Sequence, residues 1–316
     1  MSPRLIMKLT VADIRPESGD VLVVDLRHPR RPELPASTPG AHVDIHLPDG
    51  RVRQYSLCGD PADRSCYRIA VKREGGGRGG SLWLHENLVP GGTLMVSAPR
   101  NHFELSDEAD RYLLLAGGIG ITPLLAMAHA LTRAGKPFHL HDFVRSRANA
   151  PMLEEIATAA DPACVSYHFD DEPGSRVGFA DLLAVPRAGT QVYCCGPAGF
   201  MDAVRQAASG WPEEAVRFEA FQPLFDEGFT PEPFEILIRS TGATLPVPTD
   251  RSVLDILRSA GIELPSSCEI GVCGSCECGY LDGIPIHRDV VLSPRARRSR
   301  LIPCVSRAVG PLQLDL

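Results

Sequence analysis

Four cysteines in the last part of the chain have the spacing of iron–sulfur ligands. Cys268, Cys273 and Cys276 form a C-x₄-C-x₂-C loop, and Cys304 follows after 27 further residues. This spacing is typical of a [2Fe–2S] cluster, in which four thiolates hold two irons. Gly271, between the first two ligands, allows the short loop to bend around such a group. The pattern therefore predicts that these four cysteines bind a [2Fe–2S] cluster.

Two alternatives to this assignment are open. A zinc site usually pairs a C-x₂₋₄-C unit with a second pair or with distant histidines, whereas three of these thiols crowd one loop. Cys278 stands two residues after Cys276 and could replace it in the ligand set. Because that register would give an unusual C-x₄-C-x₄-C, we predict that Cys278 is a spare thiol on the strand that leaves the loop.

Composition and charge restrict the class of protein. The 316-residue chain has ten cysteines, and no apolar stretch approaches the length of about 20 residues that a membrane span needs. Residues 1–10 lack the apolar core of a secretory signal, so we expect a reducing, cytoplasmic location with cysteines that bind metal. The net charge is −7, and residues 234–316 carry equal numbers of acidic and basic side chains. Neither nucleic acid nor a membrane is an expected partner.

Hydrophobic patterning divides the chain into four segments. Residues 1–107 contain short alternating strands with polar turns, which predict a small antiparallel β-barrel. Residues 108–222 alternate buried strands with helical patterns, as in an α/β domain with a parallel sheet. Residues 223–233 contain three prolines and predict a linker. Residues 234–316 combine strands, a helix over 252–260 and the cysteine loop, and we expect a β-grasp ferredoxin domain.

The first segment contains a candidate anion site. Strand alternation places Arg53 and Tyr55 on one face, where a cation could bind phosphate and a ring could stack on a flat heterocycle. A glycine run that includes Arg78 ends at Ser81, just before a short predicted helix. Backbone N–H groups and the helix dipole could bind an anion there. Each feature alone suits an ordinary surface pair or turn, but together they predict a flavin phosphate.

A second nucleotide signal follows the predicted strand at the start of the α/β segment. Gly118 and Gly120 match the first two glycines of a dinucleotide fingerprint, but Pro123 replaces the third. The turn would still admit a pyrophosphate, and Thr122 would cap the helix that Pro123 opens. Cys195 ends another predicted strand, at the edge where such sheets bind ligands. A buried structural cysteine is the simpler interpretation of that residue.

The order of these motifs resembles the phthalate dioxygenase reductase family, within the ferredoxin–NADP⁺ reductase-like superfamily. R-x-Y-S, G-G-x-G-x-T-P, C-G-P-x-x-x-M and the cysteine loop follow one another along essentially the whole chain. The resemblance implies FMN on the barrel, NADH on the α/β domain, with NADPH possible, and a [2Fe–2S] cluster at the exit.

The resemblance also implies which residues meet each cofactor. For FMN these are Arg53, Tyr55, Ser56, Ala70, Val71, Lys72, Arg78, Gly79, Gly80 and Ser81. For the dinucleotide they are Gly118, Gly120, Thr122, Arg145, Cys195, Gly196 and Pro197. Catalytic roles are expected for Ser56, Cys195 and Phe221; the last lies in an F-E-x-F motif near the flavin, although a core phenylalanine fits equally well. Arg145 and Arg147 could bind a 2′-phosphate, yet solvated arginines are the simpler interpretation, and we expect NADH.

These parts predict an NAD(P)H-dependent reductase that passes single electrons onward. NADH gives up a hydride, a flavin can divide its electron pair, and the cluster accepts one electron at a time. Plant-type clusters lie near −400 mV and Rieske centres at about −150 mV or higher, so we expect a terminal Rieske-type oxygenase or O-demethylase as partner. The alternatives are a reductase for a cytochrome P450 or other haem acceptor and a non-catalytic redox sensor. Four arginines before Cys304 could steer an acidic partner, or could merely be solvated: Arg295, Arg297, Arg298 and Arg300.

Overall fold

The computed structural model describes residues 5–18, 20–76, 79–222, 228–293 and 295–316. The chain forms two compact units, Met1–Glu219 and Ala220–Leu316. The first unit contains two sheets and the second contains one, in the predicted order along the chain. Arg78 and residues 223–227 of the predicted linker lie outside the described residues. The boundaries after residues 107, 222 and 233 stay predictions.

The first sheet is the predicted antiparallel barrel. Its six strands are β1 (Ile6–Glu17), β2 (Val21–Arg27), β3 (His42–His46), β4 (Val52–Ser56), β5 (Tyr67–Lys72) and β6 (Thr93–Ser97). They follow the order β4-β3-β6-β1-β2-β5, and a bridge from Leu57 to Ile69 joins the two edge strands. The alternating apolar residues enclose a core in which Leu9, Val24 and Ile45 are fully buried. Helix α1 (Gly80–Asn87) contacts β5.

The second sheet is the predicted parallel sheet. Its strands are β7 (Arg111–Gly117), β8 (Phe138–Val144), β9 (Val165–Phe169), β10 (Thr190–Cys195) and β11 (Val216–Glu219). They are all parallel, in the order β11-β10-β7-β8-β9. The connecting helices are α2 (Ile121–Ala134), α3 (Leu153–Ala159), α4 (Phe179–Leu182) and α5 (Ala198–Ala207). Complete burial of Leu114, Leu115 and Ala116 explains the continuous apolar run of β7.

A partly buried ion-pair network joins the barrel to the parallel-sheet domain. Glu155 of α3 is only 6% exposed, and its Oε1 lies 2.7 Å from Arg15 Nη2 of β1. Arg68 of β5 lies 3.8 Å from the same carboxylate and binds Asp25 through two bonds of 2.7 and 2.8 Å. Two arginines of the barrel therefore neutralise a carboxylate supplied by the other sheet, and this fixes how the two sheets pack.

The third sheet lies in the second unit. Its strands are β12 (Phe234–Ile238), β13 (Thr244–Val247), β14 (Cys278–Ile286), β15 (Arg300–Leu301) and β16 (Arg307–Leu314), in the order β13-β12-β16-β14-β15. Helix α6 (Val253–Ser259) packs on it, and its Leu254 belongs to the apolar cluster that contains Cys276 and Cys304. No helix in the described part of the chain has the length and hydropathy to cross a membrane.

Helix α6 begins with a reciprocal cap, which gives a stability prediction. The Ser252 hydroxyl accepts the Asp255 N–H at 3.1 Å, and the Ser252 N–H donates to the Asp255 carboxylate at 3.2 Å. Because Ser252→Ala leaves a helix N–H without its acceptor, it should lower the unfolding free energy of this unit by about 1 kcal/mol. Urea unfolding followed by cluster absorbance measures the change. Ser252→Thr keeps a hydroxyl cap, so an equal loss in both variants would contradict the prediction.

Candidate functional site

The four predicted ligands are buried and form two pairs of thiols. Their exposed fractions are 6%, 3%, 3% and 9% for Cys268, Cys273, Cys276 and Cys304. Cys268 and Cys273 share a hydrogen bond, and so do Cys276 and Cys304; each bond lowers the pKa of one thiol, that of Cys273 or Cys276, and raises the pKa of its partner. Metal ligands must be thiolates, and two irons that each take two thiolates need two such pairs. The thiol set therefore fits a [2Fe–2S] cluster.

The backbone of the cysteine loop is also shaped for this group. Gly271 and Gly274 have φ of 79° and 66°, which L side chains rarely adopt. A Cβ on Gly271 would lie 2.7 Å from the Val305 side chain. Backbone N–H groups point at the sulfurs, from Ile270 to Cys268 Sγ at 3.5 Å and from Ser275 to Cys273 Sγ at 3.4 Å. Such donors stabilise thiolate ligands and tune their potential.

Cys278 lies in a different environment from the other four thiols. It is the first residue of β14, pairs with Leu301, and packs in the sheet core with Ile236. Burial raises the pKa of its thiol to about 12. These contacts support its assignment as a spare thiol.

In the described part of the chain, no three His, Cys, Asp or Glu side chains are arranged to hold a single metal ion.

The structure brings the two predicted flavin motifs together. Arg53 of β4 lies against the start of α1, so that a Cβ on Gly80 would be 2.5 Å from Arg53 Cγ and Nε. Gly79, immediately before the helix, has φ of 72°. The arginine and the glycine turn thus share one small space, which suits a phosphate. Tyr55 packs against the barrel core, and burial raises the pKa of its phenol.

The remaining flavin candidates lie on β5 and at the start of α1. Ala70 and Val71 are 5% and 0% exposed, so only their backbone groups are available to a ligand. Lys72 is exposed and lies 3.0 Å from Glu74. The Ser81 hydroxyl accepts the Glu74 N–H at 3.1 Å. Lys72 therefore serves a surface ion pair in this structure.

Ser56, Cys195 and Glu219 meet where the barrel contacts the parallel sheet. The Ser56 hydroxyl, at the end of β4, donates to Glu219 Oε2 at 3.4 Å. Cys195 ends β10 and is paired in register with Glu219, the last residue of β11. Burial raises the pKa of the Glu219 carboxyl to about 8, and burial together with this carboxyl raises the pKa of Cys195. The meeting point thus combines a hydroxyl, a thiol and a carboxyl that retains its proton near neutral pH.

Sequence reasoning missed Glu219. The signal was present, because this residue is the polar member of the F-E-x-F motif and stands at the carboxyl end of a strand, where parallel sheets bind ligands. Phe221 of the same motif is 38% exposed and belongs to the second unit. Its role beside the flavin stays a prediction.

The glycine turn before α2 differs from its prediction. Thr122 does not cap the helix: α2 begins at Ile121 after Gly120, and the buried Thr122 hydroxyl donates to Ile119 O at 3.0 Å. The predicted cap is wrong because a 3₁₀ turn at residues 118–120 starts the helix earlier. A Cβ on Gly120 would lie 2.1 Å from Cys195 O. This glycine is therefore required for close packing on β10.

The other dinucleotide candidates lie at the same sheet edge. Gly118 has φ of 55°, and a Cβ there would meet open space. Gly196 packs against Gly117 and Phe200, and Pro197 precedes the first residue of α5. Arg145 is exposed after β8. Arg147, considered with it for a 2′-phosphate, lies over the Phe169 ring at 4.6 Å.

Comparison with known proteins agrees with this arrangement. Residues 236–309 match the family described as "2Fe-2S iron-sulfur cluster binding domain", and residues 114–206 match "Oxidoreductase NAD-binding domain". The fold and the site define an NAD(P)H-dependent iron–sulfur oxidoreductase. The chain belongs to the phthalate dioxygenase reductase family.

Two relatives and two solved structures carry this assignment. The chain is 46% identical to the tert-butanol monooxygenase / tert-amyl alcohol desaturase reductase subunit of Aquincola tertiaricarbonis, covering 90% of this chain and 88% of that one. It is 40% identical to the phthalate 4,5-dioxygenase oxygenase reductase subunit of Pseudomonas putida, covering 92% and 91%. Phthalate dioxygenase reductase superposes with a TM-score of 0.73 at 36% identity, covering 98% of both chains. An intact type IV self-sufficient cytochrome P450 monooxygenase gives a TM-score of 0.88 at 38% identity; this chain is covered to 98% but spans only 41% of that protein.

The ligand assignment predicts iron contents for cysteine variants. Cys276→Ser should lose most of its iron because it breaks the pair with Cys304, whereas Cys278→Ser should keep two irons per chain. Iron and acid-labile sulfide analysis of the purified proteins measures both. Cys278→Ser is the matched control, since it removes a buried thiol from the same loop region. Iron lost from Cys278→Ser and retained in Cys276→Ser would contradict the assignment.

Because the Glu219 carboxyl holds its proton near neutral pH, we predict that the free energy of unfolding depends on pH. Its folded-state pKa of about 8 exceeds the ordinary 4.5, so the folded protein holds this proton over a pH range in which the unfolded chain releases it. The contribution is full below about pH 4.5 and is lost as pH rises toward 8, with a slope of up to about 1.4 kcal/mol per pH unit. Glu219→Gln stays neutral, so its stability relative to wild type should rise between pH 5 and 8. Urea unfolding at each pH measures this difference. The exposed Glu214→Gln is the control, and parallel curves for wild type and Glu219→Gln would refute the prediction.

Proposed function

We propose that this protein is the reductase component of a terminal Rieske-type oxygenase or O-demethylase system, with NADH as donor, FMN as flavin and a [2Fe–2S] cluster as the exit. Two features of one chain carry the proposal. The first is a cysteine loop with two thiol pairs, and the second is the junction where Ser56 of the barrel meets Cys195 and Glu219 of the parallel sheet. None of its ten cysteines forms a disulfide, which supports a cytoplasmic location.

The residues present fit an FMN phosphate near Arg53. The space beside Gly80 would be filled by any Cβ, the Arg53 guanidinium supplies a charge, and the start of α1 supplies backbone N–H groups through Gly80 and Ser81. When bound, FMN would accept a hydride and release electrons singly. Two arginines lie beside this turn, Arg53 against Gly80 and Arg51 against Gly79, and with the one helix start they suit a single phosphate group.

The chain's own residues supply orientation and exclude water. Ser56 is 6% exposed and Cys195 is fully buried, so both keep solvent away from the junction. Glu219 holds the Ser56 hydroxyl in one orientation and, in its protonated form, places no full charge beside Cys195. Glu219 and Ser56 act as positioning residues, and Gly118 leaves the backbone open to a dinucleotide.

Energetics favour transfer to a Rieske acceptor. A plant-type cluster lies near −400 mV and a Rieske centre at about −150 mV or above, so each electron moves downhill by about 250 mV or more. The reductase subunits named above belong to oxygenase systems, which supports an oxygenase partner. We favour NADH over NADPH because Arg147 is engaged with Phe169, which leaves Arg145 as the available cation of that pair.

A haem acceptor is the second candidate partner. It is supported by the likeness to a self-sufficient cytochrome P450 monooxygenase, in which a segment similar to this whole chain forms part of one polypeptide. Reduction assays with candidate Rieske oxygenases and P450 proteins separate the two partners.

Removal of the second unit tests the proposed electron path. A chain that ends at residue 222 retains the first compact unit, so it should bind flavin and oxidise NADH with an artificial two-electron acceptor at a near wild-type rate. It should lose the cluster absorption and nearly all transfer to an oxygenase, because the one-electron exit is gone. Flavin spectra and stopped-flow reduction measure these properties. Full-rate reduction of the oxygenase by the shortened chain would place the cluster off the path, and failure to bind flavin would refute the proposed domain division.

A further inference from the structure

We propose that Arg295 and Arg298 form a docking surface for an acidic face of the electron-accepting protein, next to the Cys276–Cys304 side of the cluster loop. The proposal rests on the reductase function proposed above and adds the location and charge of the partner contact.

Arg295 and Arg298 differ from the other arginines of the second unit. Residues 228–316 contain nine arginines. Seven have side-chain partners: Arg239, Arg251, Arg258, Arg288, Arg297, Arg300 and Arg307. Arg295 and Arg298 are exposed, and among the described residues neither side chain has a hydrogen-bond or ion-pair partner. Their charges are therefore available to another molecule.

The two arginines lie on either side of Ala296, which packs against the apolar cluster that contains two of the predicted ligands. Ala296 starts the 3₁₀ turn Ala296–Arg298 and contacts the apolar cluster that contains Leu292, Cys276 and Cys304. A protein that docks on this turn therefore contacts a segment that packs against the side-chain cluster containing one ligand pair. Short separation is the main requirement for an electron exit, so the surface lies where transfer needs it.

Contacts of Arg297 with neighbouring buried and half-buried residues hold the turn in place. Arg297 was predicted as a surface cation with its neighbours, but its side chain turns inward and pairs with the fully buried Asp289. Arg297 Nη2 donates to Asp289 O at 2.8 Å and lies 3.7 Å from Asp289 Oδ1. The Arg297 carbonyl accepts the Tyr280 hydroxyl at 2.9 Å and lies 3.1 Å from His287 Nε2. A fixed turn presents its charges without a large ordering cost on binding.

The charges of the segment around Arg295 and Arg298 favour an acidic partner. Arg300 of the same segment is balanced by Glu277 at 3.6 Å, which leaves two unbalanced cations. The whole chain carries a net charge of −7, so an acidic partner is repelled in most orientations. Because Arg295 and Arg298 are exposed on this turn, an acidic partner approaches most favourably from this side. Such a patch raises the association rate at low salt more than it raises affinity.

Two haem proteins of opposite surface charge can serve as probes: cytochrome b5, which is acidic, and cytochrome c, which is basic. In each assay one NADH loses two electrons and a proton, and two haem irons are each reduced from Fe(III) to Fe(II). The full-length protein is compared with the double variant Arg295→Glu/Arg298→Glu. Rates are taken at about 10 mM and about 300 mM ionic strength, where the screening length falls from about 30 Å to below 8 Å. Biosensor binding of oxidised cytochrome b5 supplies a readout independent of turnover.

We expect the double variant to reduce cytochrome b5 three- to tenfold more slowly at low salt, with weaker binding, and to reduce cytochrome c faster. Both changes should vanish at high salt. Arg295→Lys/Arg298→Lys should behave as wild type, and Arg30→Glu/Arg31→Glu, an exposed pair with the same charge change in the first unit, should have no such effect. Unchanged rates and binding for both cytochromes, or an equal change in the Arg30/Arg31 control, would contradict the proposed docking surface.

Cluster absorbance and the rate of flavin bleaching by NADH identify a variant that has lost a cofactor. If wild-type flavin bleaches but neither cytochrome is reduced, the proposed one-electron exit fails, and the docking surface fails with it. Normal reduction by wild type with no response to charge reversal rejects the docking surface alone.

Discussion

The contact between Ser56 and Glu219 is the point on which the arrangement of the first unit depends. It joins the last residue of β4 in the barrel to the last residue of β11 in the parallel sheet, at 3.4 Å. Ser56 is buried there and Glu219 is half-buried, which is tolerable because the pKa of Glu219 rises and the carboxyl stays neutral. The ion pairs of Glu155 with Arg15 and Arg68 fix the same two sheets elsewhere. Hydride transfer requires two flat rings in contact, and these contacts determine whether the two cofactor surfaces can meet.

The second unit satisfies a different constraint. A [2Fe–2S] cluster needs four thiolates in a dry, preformed loop, and the left-handed glycines Gly271 and Gly274 make that loop possible. Asp289 is fully buried beneath it, accepts the Val291 and Leu292 N–H groups, and is bound by Arg297. Backbone, carboxylate and guanidinium thus hold one rigid segment beside the ligands. Electron transfer benefits because a rigid site changes little between redox states.

Features encoded by residues close in sequence were predictable. The cysteine spacing, the glycine run before α1 and the Arg53 strand each carry their chemistry within a few residues, and the structure brings the last two together as expected. Glu219 was missed because its significance depends on the register of β11 against β10, which no local pattern encodes. The Thr122 cap was wrong because a 3₁₀ turn at residues 118–120 starts the helix earlier, which no local pattern indicated. Arg297 was assigned to the surface because its buried partner is eight residues away.

The most direct test of the electron path is an anaerobic titration with NADH, followed by visible absorption and electron paramagnetic resonance. A flavin that takes two electrons and a cluster that takes one require about 1.5 equivalents of NADH per chain. The account predicts that flavin bleaching is accompanied by the signal of a reduced [2Fe–2S] centre, close to one spin per chain. A cluster that stays oxidised with NADH, and is reduced only by dithionite, would contradict it.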